Sequence, residues 1–351
     1  MLEKLWHKAQ NPGLKKLGFF YCINIFFKGH CMKKIIIITG IIAVVAAFVL
    51  YKKRYEPSKN YEFTIGILQT ASHPALDAAR DGFTSTLKEL LGDRITFIEQ
   101  NAQGSVDTMH TIAQRMHNKP TITAFYAIAT PALQAIASTE NQRPIIFAAV
   151  TNPQALNLPV SHNVTGVTDM INVQKQIALI KQLTPNVRTV ALLYNSSEIN
   201  SIQMITLMEQ ELVKQQLVPL KVGVQNEADI QAATESACRN ADALLAPTDN
   251  SVASAIDSIA ATALKYKKPL YVSDNLLVTH GALAARGVDY AECGKQAADI
   301  MYQLLIDNKK PSSFGVVQPK NTTIFINKKT ADILGITIPE SLKDEITVIN
   351  K

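Results

Sequence analysis

Phe63-Thr-Ile-Gly-Ile-Leu-Gln-Thr-Ala-Ser-His-Pro74 holds a short apolar run, Phe63–Leu68, that stops at small polar residues and a proline. An amphipathic stretch to about Leu91 follows. A short apolar run bounded by turn residues reads as a strand buried on both faces, and the amphipathic stretch reads as the helix that covers it.

The unit recurs along the chain. Ile95–Ile98 precedes a predicted helix around 106–117, and Ile122–Ala129 ends at Thr130-Pro131 before another. Ile145–Val150 ends at Thr151-Asn152-Pro153, and Val164–Val167 follows. A second series contains Val190–Tyr194, Val218–Val224, Ala243–Ala246 and Leu270–Val272, with Asn195-Ser-Ser-Glu198, Pro247-Thr-Asp-Asn250 and Ser273-Asp-Asn275 at strand ends. Such alternation means parallel sheets covered on both faces. Two series of roughly 100 residues each make the fold class α/β, with two doubly wound parallel-sheet lobes. Ala291, Gly294, Ala297, Ala298, Met301, Leu304 and Leu305 place a packed amphipathic helix over 290–307, after the second series is complete. A strand over Thr322–Ile326 and a short helix follow it.

Upstream, Ile35–Tyr51 reads IIIITGIIAVVAAFVLY without a charge, between Lys33-Lys34 and Lys52-Lys53-Arg54. Its length corresponds to roughly 25 Å of helix, at the short end for a membrane span. A cleaved signal segment is the rival reading, but the run ends in bulky residues, which favours a retained anchor. Residues 1–34 lie before this segment and 52–60 form a polar linker; Met32-Lys33-Lys34 has the pattern of a natural start for an exported protein.

The formal net charge of +6 is concentrated in residues 1–60, which hold eleven Lys/Arg and two acids. Residues 61–351 keep 24 basic and 27 acidic residues, so the globular part is mildly acidic and lacks the electrostatic footprint of a nucleic-acid binder. Of the four cysteines, Cys238 and Cys293 fall in predicted helices without metal-ligand spacing and read as unpaired, semi-buried thiols.

In doubly wound sheets, ligands bind beyond the carboxyl ends of the strands. Here those ends carry Gln69, Ser72, Thr130, Thr151, Asn152, Asn195, Ser197, Thr248, Asp249, Asn250 and Asp274, each where a helix begins. Hydroxyls and helix N-termini there suit a carboxylate, and an aspartate suits an ammonium. The same residue types are also preferred N-caps, with proline preferred at the first helical position, so each of them also reads as a cap. Asn195 with Glu198 has the pattern of a capping box.

Enzyme signals are weak. Ser85-Thr-Leu-Lys88 and Ser273-Asp-Asn275 match two elements of penicillin-recognising enzymes, but the third, K-T-G, is absent and Ser85 falls mid-helix. His110 and His117 lack the spacing and carboxylate of H-E-x-x-H, and no G-x-G-x-x-G or Walker loop occurs. No cofactor and no metal are expected.

Gly66-Ile-Leu-Gln-Thr-Ala-Ser-His-Pro-Ala-Leu-Asp77, Ala127-Ile-Ala-Thr-Pro131, Phe147-Ala-Ala-Val-Thr-Asn-Pro153 and Asn163-Val-Thr-Gly-Val-Thr-Asp169 resemble one family. So do Leu193-Tyr-Asn-Ser-Ser-Glu198, Pro247-Thr-Asp-Asn250 and Gly287-Val-Asp-Tyr290. It is the ABC-transporter substrate-binding family that includes the tryptophan/tyrosine-binding receptors, and the resemblance covers about 61–345. It implies a type I periplasmic binding protein fold with an interlobe ligand cleft and chain crossings near Thr168, near Asp289 and near 312. The lobes would then be 61–167 with 289–311, and 168–288 with 312–345. Many relatives look like lipoproteins, whereas no cysteine follows the apolar run here.

The resemblance implies an aromatic or other hydrophobic amino acid as ligand. It also implies an ABC permease and its ATPase as partners, with the globular part on the extracytoplasmic side. A membrane-anchored sensor of the same fold, acting through a partner protein, is the alternative. For an amino acid, Ser72, Thr130 and Thr151 would hold the carboxylate and either Asp249 or Asp274 the ammonium. Asn195 would add a contact from the second lobe, with Gln69, Asn152 and Thr248 completing the site.

Overall fold

The apolar runs form strands, those central in each sheet buried on both faces because helices cover them above and below, while Ile95–Asn101 and Val218–Val224 at the sheet edges are part exposed. In the computed structural model, residues 61–156, 158, 163–320, 322–343 and 345–350 are described. The first lobe contains β1 (Phe63–Gln69), α1 (Pro74–Leu91), β2 (Ile95–Asn101), α2 (Val106–His117), β3 (Ala124–Ile128), α3 (Thr130–Ala137), β4 (Ile145–Val150) and β5 (Val164–Thr168). Every residue of β3 and β4 is buried. The second lobe opens with α4 (Val173–Leu183), β6 (Thr189–Asn195), α5 (Ile199–Lys214), β7 (Val218–Val224) and α6 (Ile230–Asn240). It continues with β8 (Ala243–Ala246), α7 (Asn250–Ser254), α8 (Ile256–Lys265), β9 (Leu270–Asp274), α9 (Asn275–Val278) and β10 (Ala284–Val288). The chain ends with α10 (Tyr290–Leu305), β11 (Val316–Val317), β12 (Thr322–Asn327), α11 (Lys328–Leu334) and β13 (Ile346–Ile349).

The first sheet has the order β11-β5-β4-β3-β1-β2 and the second β13-β12-β10-β9-β8-β6-β7. Pairing is parallel except between β10 and β12. Both sheets therefore share one core order, β2-β1-β3-β4-β5 and β7-β6-β8-β9-β10. Strand order reverses between β1 and β3 in one and between β6 and β8 in the other. Adjacent strand ends diverge there, and a crevice opens at each switch point.

Three connections join the lobes, after β5, after β10 and between β11 and β12. The third differs from the sequence reading: Val316–Val317 pairs beside Gly166–Val167 of β5, so the chain leaves the first sheet after Val317 rather than near 312. β10, which is central in the second sheet, and β13, which reaches beyond 345, were not legible as strands. α10 packs on α1. The helices meet through small residues. A Cβ on Gly82 would strike the carbonyl of Ala291, and one on Gly294 the carbonyl of Ala79. Glycine inside a helix costs about 1 kcal/mol relative to alanine, and this close approach is what requires it. Under α1, Phe83 stacks on Tyr126 with ring centroids 3.8 Å apart, and the Tyr126 hydroxyl donates to the Ala79 carbonyl at 3.2 Å. Full burial of a side chain the size of Phe83 contributes about 2–3 kcal/mol.

Tyr61–Lys351 forms one compact unit. The segments 1–34, 35–51 and 52–60 lie outside the described residues. Among those described, no helix is long and apolar enough to cross a membrane. Cys238 and Cys293 are free and fully buried, deeper than the sequence suggests.

Candidate functional site

The carboxyl ends of the two sheets face one another and touch. The Thr151 and Thr248 hydroxyls lie 3.2 Å apart across the gap, and His73 Nε2 lies 3.4 Å from Asn250 Oδ1. Two hollows lie between the lobes. An inner one of about 20 Å³ is lined by residues that include His73, Thr151, Asp169, Asn200, Thr248, Asp249, Asp274 and Tyr290. An outer one of about 660 Å³ adjoins both switch points and is lined by Thr70, Pro131, Asn195 and Asn250, among others. Asn250 lines both.

The inner hollow is notable for polar atoms left without a partner. Asp169 Oδ1, Asp274 Oδ2, Asn200 Oδ1 and His73 Nδ1 are all buried and unbonded. Buried polar groups are normally satisfied, so several orphans converging on one hollow mark a place built for something else. Most of them are acceptors, and no lysine or arginine lines the hollow. Burial pushes the Asp274 carboxyl up to about 7, with Asp169 and Asp289 adding repulsion. Asp169 is raised by burial too, partly offset by the Tyr290 and Thr151 hydroxyls. Burial lowers His73, which keeps it neutral near pH 7.

Asp249 differs from Asp274. Its Oδ2 accepts from Asn195 N and from the Ser201 hydroxyl, both at 2.6 Å, and its Oδ1 accepts from Val252 N at 2.8 Å. It caps α7 and ties β6 to β8. Burial and the nearby Glu198 push it up to about 7. Asp274 also caps a helix, through Leu276 N at 2.8 Å, but only with Oδ1.

The other sequence-predicted residues divide. Thr151, Thr248, Asp249 and Asp274 meet at the inner hollow, and Asn195 lines the outer one. Thr130 is buried at the start of α3 with an unbonded hydroxyl and lines neither hollow. Gln69 and Ser72 instead turn to Asp77: Gln69 Nε2 donates to Oδ1 at 2.7 Å and the Ser72 hydroxyl to Oδ2 at 2.9 Å, which fixes the β1–α1 loop. Asn152 caps the short helical turn at Pro153–Ala155, accepting from Ala155 N at 3.3 Å. None of these three lines either hollow.

The capping box expected at Asn195 and Glu198 is absent. Asn195 Oδ1 accepts from Ser197 N at 2.8 Å. The Glu198 carboxylate reaches across to accept from Asn250 N and Nδ2 and from Ser251 N and Oγ. Tertiary partners on α7 outcompete the local one. Ser85 sits within α1 and donates to the Asp81 carbonyl at 2.5 Å. His117 lies 3.1 Å from the buried Glu140, which Arg143 also holds. Among the described residues, no cluster of His, Cys, Asp and Glu could hold a metal ion.

Sequence reasoning missed Asp169, Asn200, His73 and Tyr290. Asp169 was within reach, since Val-Thr-Asp169 ends β5 as Thr248-Asp249 ends β8. Two backbone outliers border the site: Ala129 (φ 77°, ψ 163°) before Thr130, and Ala149 (φ 58°) at a register shift in β4. Such conformations cost on the order of 1–3 kcal/mol each in non-glycine residues and concentrate at functional sites.

The family of ABC transporter substrate binding proteins matches residues 64–348. A tyrosine-binding protein of Clostridioides difficile (strain R20291) is 32% identical over 281 residues, which cover 78% of this chain and 81% of that protein. The ABC domain in complex with L-Trp from Streptococcus pneumonia is 33% identical, with a TM-score of 0.78 over 82% of this chain and 100% of that one. The ligand-free, open structure of a substrate binding protein with adhesive properties from Clostridium difficile gives 0.62 at 29% identity, over 82% and 99%.

Proposed function

Because this chain belongs to the family of ABC transporter substrate-binding proteins, we propose that it is the receptor of an ABC importer and captures an aromatic or other hydrophobic amino acid between its lobes. The observation that carries this reading is the inner hollow, where Asp169 Oδ1, Asp274 Oδ2 and Asn200 Oδ1 are acceptors without donors. A volume of about 20 Å³ holds one water-sized group, which is the size of an ammonium. The outer hollow, at about 660 Å³, falls within the range typical of small-ligand sites and offers Val106, Met109, Leu158 and Ile199 to an apolar side chain. An amino acid spanning both would pair its ammonium with Asp169 and Asp274 and carry its side chain into the outer hollow. Pairing is needed because a buried, unpaired charge is very costly. The binding proteins of Clostridioides difficile and Streptococcus pneumonia, for tyrosine and L-Trp, support the ligand class.

The closed form would then dock on a permease served by its ATPase. The globular part stands on the extracytoplasmic side, held by residues 35–51. The apolar run and its basic flanks support this location. The full protein should stay with membranes through high-salt washing, and release of a soluble fragment starting near residue 50–60 would contradict the anchor.

The single tryptophan, Trp6, lies outside the compact unit, so a 61–351 protein has no indole of its own and bound tryptophan reports itself by fluorescence. Tyrosine or tryptophan should raise its melting temperature. If a panel of amino acids, nucleosides and sugars leaves that temperature unchanged, the receptor reading fails.

A further inference from the structure

We propose that Tyr290 is a positioning residue of the ligand site: its hydroxyl, bonded to Asp169 Oδ2, holds that carboxylate so that Oδ1 faces the inner hollow beside Asp274. As far as the ligand is concerned, this rests on the amino-acid reading above. The geometry is specific. Tyr290 opens α10 directly after the second connection between the lobes, and Asp169 lies in the first. Their 2.8 Å bond is buried and joins the two connections. The backbone around Asp169 is fixed separately, since the Thr168 hydroxyl donates to the Thr151 carbonyl at 2.9 Å and accepts from Met170 N at 3.1 Å. The freedom that remains is rotation of the carboxylate, which the phenol restrains together with the Thr151 hydroxyl beside it. Asp289, which precedes Tyr290, is occupied as the cap of α10, accepting from Glu292 N at 3.0 Å.

The charges around Asp169 explain why a neutral donor matters. Tyr290 and Cys293 face it from α10 and Asp274 from the end of β9, while Asp289, after β10, acts on Asp274 and Cys293. Asp249 and His73 line the same hollow from the second and first lobes. His73 is held neutral by burial, so no protein cation offsets the acids there. The Tyr290 hydrogen bond stabilises the ionised form of Asp169 against burial. Without it Asp169 takes up a proton at higher pH, and an ammonium loses its partner first on the acid side.

The test uses the full chain as parent, Tyr290→Phe, Asp169→Asn and the double variant. Infrared pH titration of the Asp169 carboxyl band, assigned by its loss in Asp169→Asn, is run on each protein without amino acid. Calorimetric affinities for tyrosine and tryptophan follow at pH 6 and pH 8. Tyr290→Phe should raise the Asp169 midpoint and weaken binding by about tenfold at pH 6, with a clearly smaller loss at pH 8. In the Asp169→Asn background the same substitution should change affinity by less than about twofold. An unmoved midpoint, or an equal loss at both pH values and in both backgrounds, overturns the positioning role. If the parent binds neither amino acid, the receptor reading falls, and the titration alone decides whether Tyr290 positions Asp169.

Discussion

The ends of β8 and β9 look alike in sequence and differ in what they do. Each leads to an aspartate that caps a short helix, Asp249 three residues past β8 and Asp274 at the end of β9; each aspartate is buried, and each carboxyl is pushed up to about 7. Asp249 spends both oxygens on its own lobe, bonding Asn195 N, Ser201 and Val252 N. Asp274 keeps Oδ2 free, facing a hollow shared with Asp169. A raised carboxyl pKa is thus common to an acid with both oxygens bonded and one with an oxygen left free, and the number of partners separates them.

The largest effect separating the two should come from removing Asp249. Asp249→Ala leaves a cap, a serine hydroxyl and a strand amide without acceptors, and should cost on the order of 2–4 kcal/mol of stability in chemical denaturation. Protein that remains folded should bind its amino acid within about threefold of the parent. Asp274→Ala should do the reverse, with a smaller change in stability and an affinity loss of roughly ten- to a hundredfold by calorimetry. If Asp249→Ala abolishes binding in folded protein, the distinction between the two strand ends collapses.

A smaller effect is the pH dependence. The folded pKa of Asp274 lies above its unfolded value of about 3.9. The folded state therefore holds a proton that the unfolded state has lost, and this carboxyl lowers stability progressively as pH rises from about 4 to about 7. An ammonium needs the ionised form, so affinity should rise over the upper part of the same window, by up to about tenfold per pH unit, and level off above it. The thermal shift given by bound amino acid should grow as the stability of the free protein falls. Affinity that is flat from pH 5 to pH 8 would separate binding from Asp274.

The two-lobe fold was legible because its strands are continuous apolar runs and its helices start at polar strand ends such as Asp249 and Asp274. β10 was hidden by its short, alanine-rich sequence with Arg286 inside it. β11 was hidden by its length of two residues, which only pairing to β5 reveals as a strand. The site was half legible. Strand-end logic brought out Asp249 and Asp274 together and could not rank them, because the partners of Asp249 come from β6, α5 and α7. The same logic proposed Ser72 and Gln69, which the intervening Asp77 captures. Tyr290 lay beyond it, since a tyrosine at a helix start carries no signal until the first connection brings Asp169 to its hydroxyl.

Asp169 and Asp274 together should hold the ligand's ammonium. The direct measurement is calorimetric affinity for the tighter-binding aromatic amino acid against its des-amino analogue, indole-3-propionate for tryptophan or 3-(4-hydroxyphenyl)propionate for tyrosine. The parent should prefer the amino acid by roughly ten- to a hundredfold, and Asp169→Asn and Asp274→Asn should each reduce that preference to below about threefold. A preference that survives intact in both folded variants would contradict the assignment and place the ammonium elsewhere in the cleft.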